Sequence, residues 1–319
     1  MTALIFFFLF RKIPPVEVLK TIWAANIPLF IFYSVGYVIV VMLIDCAALQ
    51  WGISRFSTKV TFRETLIMRG ATYLLMMVNY NLGQGGMAFY LKRTHKAPLF
   101  KTLGAIFYLS LIDLAILFGA AILAIKLGHM NDSNFLLGPT ILKGSSLFFI
   151  LLLVWILFWK LADHPFIKNC TKGFKPLDWL CHRPLFFAFK ESSLTDYGIA
   201  ILLRAPTIFM VLLSFYFWSD AFRSPIPFSS IVLYAPIILL VGTLPITPGG
   251  VGMVQALCIT LFKDKIAGAG PLISSHQYSP EQILFAASLL WGMTNLVLKL
   301  LIGFYCLSKK SKNFFVETS

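Results

Sequence analysis

Five stretches of this chain, residues 26–49, 99–127, 141–161, 194–218 and 282–307, are apolar over lengths that reach the roughly 20 residues a helix needs to cross a bilayer. A helix satisfies its own backbone hydrogen bonds in lipid, so such runs read as spanning helices. Composition agrees: 58% of residues are hydrophobic and 13% charged, against about 25% charged in a soluble domain. No polar linker or low-complexity tract divides the chain, so residues 1–319 read as a single integral membrane domain of all-α, polytopic architecture. Residues 1–10, MTALIFFFLF, are too short to span and lack a small-residue cleavage site, so they read as the end of a first helix rather than as a signal peptide.

Two further apolar regions fit the spanning template badly. Residues 71–91 run into NLGQGG, and residues 227–262 are interrupted by PITPGGVG. Each is too broken for one clean crossing and too short for two crossings and a turn. Both read as re-entrant hairpins of broken helix.

Charge tests that reading, because loops rich in Lys and Arg stay in the cytoplasm. Arg55, Lys59, Arg63 and Arg69 follow the first span; Lys92, Arg93, Lys96 and Lys101 follow the first broken region. Lys160, Lys168, Lys172, Lys175, Arg183 and Lys190 follow the 141–161 span, and Lys309, Lys310 and Lys312 follow the last. The remaining connections are poorer in basic residues. Alternation holds only if neither broken region crosses, the first dipping in from the cytoplasm and the second from outside. The two halves, roughly 1–127 and 141–307, then form an inverted-topology repeat, with a cytoplasmic amphipathic connection at 163–193 and a cytoplasmic tail at 308–319. The C-terminus is then cytoplasmic, and the localisation expected is that of a multi-pass protein of the bacterial plasma (inner) membrane.

The net charge of +14 is accounted for by these loops, so no nucleic-acid partner is expected. The five cysteines are scattered without close CxxC spacing, which indicates neither a disulfide framework nor a metal site.

Irregular backbone at membrane depth must be buried in protein or line a wet cavity. In the second hairpin, Thr247 is placed to cap and Pro248 to begin a half-helix starting near Gly249, which aims free N–H groups and a positive dipole end at mid-membrane. Gly249, Gly250 and Gly252 let an anionic group approach that backbone, with Gln255 just beyond. The first hairpin offers Asn81 and Gln84 beside Gly85 and Gly86. Matched Gly/Pro breaks in two halves point to a transporter's binding site, although small residues also serve close helix packing. Ionisable residues within spans add Arg204, expected to line a cavity, and Asp113, able to pair with a cation there; Asp45 and Lys299 read as lying nearer span ends and reaching headgroups.

Pro245, Thr247, Pro248, Gly249, Gly250 and Gly252 resemble the P-x-S/T-P-G-G-x-G motif of the lysylphosphatidylglycerol synthase transmembrane region, or flippase-like family. NLGQGG followed by LKR is similar to that family's earlier Gly-containing motif, and Asp113 falls where its next helix carries an R-x-x-D pair. The pair's usual Arg is Ser110 here, the family's Glu after PGGxG and the Arg often before it are replaced at Val254 and Gln255, and the first motif lacks its usual Glu and Arg. The resemblance implies translocation of a lipid, an anionic phospholipid or an isoprenoid- or polyprenyl-linked lipid, with a lipid-biosynthesis enzyme as a further partner. Members that attach lysine carry a cytosolic catalytic domain; the sequence ends at Ser319 without one, so aminoacyl transfer is not expected. No catalytic residue and no cofactor are assigned: intramembrane hydrolase motifs and a Walker motif are absent. A non-transporting scaffold for a lipid-synthesis enzyme, or a lipid transferase using Asp45 or Asp113 as base, stays open as an alternative.

Overall fold

The computed structural model describes residues 2–127, 138–161, 183–243, 252–266 and 278–314, and every regular element among them is helical. In chain order they are α1 (Thr2–Lys12), α2 (Pro15–Ala24), α3 (Ile27–Phe56), α4 (Phe62–Val78), α5 (Tyr80–His95), α6 (Leu99–Leu127) and α7 (Gly138–Leu161). A 3₁₀ turn, Pro184–Phe186, leads into the short α8 (Phe187–Glu191); α9 (Leu194–Ala221), α10 (Phe228–Thr243), α11 (Met253–Ile266) and α12 (Pro280–Phe314) follow. Among the described residues α3, α6, α7, α9 and α12 are long and apolar enough to cross a membrane. The protein is an all-α, polytopic membrane protein.

Polar caps decide where several helices begin. The Asn26 Oδ1 accepts from the Leu29 N–H at 3.2 Å at the head of α3. Thr61 with Glu64, and Ser193 with Asp196, form reciprocal capping boxes that start α4 and α9. Helix ends depart from the apolar windows. The first span runs on to Phe56 and the last to Phe314, so the expected tail from 308 begins as helix. Hydropathy marks where lipid contact ends, whereas backbone hydrogen bonding continues as long as neighbours pack: a Cβ at Gly52 would meet Leu109 Cδ1 at 2.8 Å. The connection before α3 also holds a helix, α2, anchored by Glu17 accepting from Gln282 Nε2. The expected 163–193 connection lies outside the described residues up to 182; its end contains α8.

The backbone turns extended at Asn79 (φ −159°, ψ 133°), and α5 folds back antiparallel on α4, with Gly83 against Met76 and Gly86 against Leu75. In the same way Gly242 near the end of α10 faces Val254 at the start of α11. At the centre α3 and α9 lie antiparallel, tied at three levels by Tyr33 to Asp220 (2.9 Å), Asp45 to Arg204 (2.5 Å) and Arg55 to Asp196 (3.0 Å). Around this seam α4 packs on α12 and α10 on α6, while α5 packs on α6 and α11 on α12.

Apolar packing divides into two large cores. One joins Phe30 of α3 to Phe215, Phe222, Phe262 and Phe285; the other joins Ile53 of α3 to Met87, Leu91, Tyr108, Phe189 and Ala200. The stretches of α3 and α9 between these two sets carry Asp45 and Arg204. α7 stays peripheral, stacking Phe148 on Phe118 of α6 at 4.2 Å.

Candidate functional site

Four charged side chains from four helices meet in the gap between the cores. Arg204 donates through Nη1 to Asp45 Oδ1 at 2.5 Å, and through Nε to Asp113 Oδ1 at 2.5 Å, with Nη2 reaching Asp113 Oδ2. The fork of the guanidinium thus grips Asp113 in the two-pronged geometry that arginine favours. On the other side Arg69 Nε lies 2.6 Å from Asp45 Oδ2. The exposures of Asp45 (5%), Arg69 (7%) and Arg204 (6%) make this a buried network; Asp113 is only partly buried.

The network sits at depth. Asp45 lies ten residues before Arg55, and Arg204 ten after Leu194, which at the α-helical rise is about 15 Å from that end, half of a bilayer core of about 30 Å. Asp45 therefore does not reach headgroups, contrary to the sequence expectation; extending α3 to Phe56 moves it to mid-helix. Lys299, expected near a span end, is likewise ten residues inside Lys309 on the continuous α12, with its Nζ 5.8 Å from the Tyr73 ring centroid. Arg69 is not a loop cation but stands two turns inside α4. Its position was readable: Thr61-x-x-Glu64 is a capping-box pattern, which starts a helix at Phe62 and puts Arg69 within it.

The remaining expected site residues divide. Arg204, expected to line a cavity, is buried and held by two carboxylates. The pairing of Asp113 with a cation is present, and the cation is Arg204. Ser110, where the resembling pattern carries arginine, instead donates back to the Ile106 carbonyl at 3.1 Å, so Asp113 draws its partner from α9. Gly86 packs inside the α4–α5 hairpin, with Leu75 Cδ1 2.5 Å from where its Cβ would stand, whereas Gly85 faces open space. Asn81 is exposed, its N–H held by the Asn79 Oδ1 at 2.8 Å; the Oε1 of Gln84 is buried without a partner among the described residues. In the second hairpin Thr247, Pro248, Gly249 and Gly250 lie outside the described residues. Gly252 has φ 91°, a left-handed conformation incompatible with an α-helix interior, and the described helix begins just after it at Met253; the start expected near Gly249 lies outside the described residues. Gln255 is buried and accepts the Gly252 N–H at 2.6 Å, making it the cap of α11.

An all-helical bundle that encloses a mid-depth ion-pair network between two apolar cores is an integral multi-pass membrane protein with a charged interior. Residues 1–303 match the family model described as lysylphosphatidylglycerol synthase TM region, and the chain belongs to that family. No curated protein and no solved structure matches it.

Proposed function

We propose that the protein moves a lipid with an anionic headgroup, a phospholipid or a polyprenyl-linked lipid, between leaflets of a bacterial plasma membrane, without chemistry on it. The single observation that carries this reading is the ion network at mid-depth. Charges there are costly, by at least about 2.5 to 3.5 kcal/mol each on insertion scales, and mark substrate paths in membrane proteins. Family membership supports a lipid-related role.

Packing supports an inverted repeat. Exchanging α3–α6 for α9–α12 in order turns α4 on α12 into α10 on α6, α5 on α6 into α11 on α12, and α6 on α9 into α12 on α3, while α3 on α9 maps onto itself. In this reading both hairpins re-enter from opposite faces, the C-terminus is cytoplasmic, and α3–α9 is the axis about which the halves rock. Asp45, Arg69 and Asp113 belong to the first half and Arg204 to the second. A headgroup phosphate competes with the two carboxylates for the arginines and loosens the ties across the seam, so occupancy and rocking are coupled.

Reconstituted vesicles test this. A fluorescent anionic phospholipid should pass to the outer leaflet when the native chain is present, and Arg204→Gln should slow it by about tenfold or more. Vesicles with the native chain that behave like protein-free ones refute the reading. The enclosure of Arg204 by two carboxylates favours one second reading, a non-transporting scaffold for a lipid-synthesis enzyme; co-purification of such an enzyme without lipid movement would select it.

A further inference from the structure

One face of α12 looks at α4. Asn295, Lys299, Ile302, Gly303 and Cys306 recur at helical spacing, and a Cβ at Gly303 would stand 2.8 Å from Leu74 Cγ, while one at Gly70 would collide with Cys306 Sγ. Lys299 lies in this stripe, one turn from Gly303, so it points at α4 rather than at lipid. Its Nζ and the Arg69 Cζ each lie 5.8 Å from the Tyr73 ring centroid, so two cations share one ring. Arg69 and Asp45 are its charged neighbours, yet among the described residues no carboxylate comes within ion-pairing distance of Lys299. Asp45 and Asp113 are already taken by the two arginines. Among the described residues Lys299 is thus a cation at mid-depth with no carboxylate of its own, a state that burial penalises. One turn away, the Asn295 Oδ1 is buried without a partner among the described residues, so the same stripe leaves a second polar group unanswered.

We infer that Lys299 is the residue that selects an anionic headgroup, whose phosphate supplies at Lys299 the negative charge that no described carboxylate gives it. The inference rests on the lipid-movement reading and adds to it the residue that sets charge preference. A phosphodiester carries the missing charge; a zwitterionic headgroup brings its own cation and gains less.

The test uses the full chain in vesicles with two probes of identical tails, fluorescent phosphatidylglycerol and fluorescent phosphatidylcholine. The native chain should move the anionic probe faster by about tenfold, the worth of one well-placed charge pair. Lys299→Met should remove that preference by slowing the anionic probe alone, and Lys299→Arg should restore it. In detergent free of anionic lipid, Lys299→Met should melt at the native temperature or above it, since an unbalanced cation has gone. A native chain without preference, a Lys299→Met chain that keeps it, or a lower melting temperature for Lys299→Met each overturns the inference. A native chain that moves neither probe overturns the lipid-movement reading itself.

Discussion

At the scale of single residues, the network ranks its members. Asp45 holds two arginines and its side chain is 7% exposed, whereas Asp113 holds one and is 23% exposed. Removing one partner of a buried pair strands the other and costs about 3 to 5 kcal/mol. Asp45→Asn should therefore lower the melting temperature of the detergent-solubilised protein well below that of Asp113→Asn; equal melting would show that the second arginine adds nothing. At Gly252, φ 91° demands glycine, so Gly252→Ala should cost about 1 to 2 kcal/mol of stability, read as a drop in unfolding midpoint. Arg204 and Asp113 were legible in the sequence because each interrupts an apolar span. Asp45 and Lys299 were seen but misplaced, since an apolar window does not report how far a helix continues past it. Arg69 was hidden by its neighbours Arg55, Lys59 and Arg63, which made it look like part of a basic loop.

At the scale of elements, α3 and α9 are joined by links of unequal kind. The Arg55 side chain is 46% exposed, so its bridge to Asp196 is screened and contributes at most about 1 kcal/mol. Asp196 also completes the capping box with Ser193, whose N–H it accepts at 2.8 Å. Asp196→Ala should thus destabilise the protein clearly more than Arg55→Ala in thermal melts; the reverse order would mean that the bridge, not the cap, anchors α9. Close approach of α4 and α12 rests on Gly70 and Gly303, so Gly303→Leu should separate them and disturb the network that Arg69 and Lys299 share. The five spanning helices and the break in the first hairpin were legible from apolar run length and from NLGQGG. α2 was not, because ten residues starting at Pro15 carry too few apolar positions to stand out beside full spans.

At the scale of the whole molecule, the proposal of two oppositely inserted halves makes an expectation about sidedness. Thr61 and Lys96 flank the first hairpin and are exposed, as are Phe228 and Lys263 at the outer ends of the second. Single cysteines at Thr61 and Lys96 should react with an impermeant reagent from the cytoplasmic face only, and those at Phe228 and Lys263 from the opposite face only. Labelling of Thr61 and Lys96 from different faces would make the α4–α5 region a single crossing and end the inverted reading. Loop charge is what suggests this proposed symmetry in the sequence, where residue identities barely repeat, because orientation depends on where cations fall rather than on which side chains pack. The convergence of charges from α3, α4, α6 and α9 was not legible, since no local pattern records which distant helices become neighbours. The claim that this convergence admits an anionic headgroup is tested most directly by determining the structure in nanodiscs of phosphatidylglycerol. Headgroup density between Arg69 and Lys299, absent in nanodiscs of phosphatidylcholine alone, is the expected result. Direct contact of α4 with α12 there in both lipids, with no density between the two cations, would contradict it.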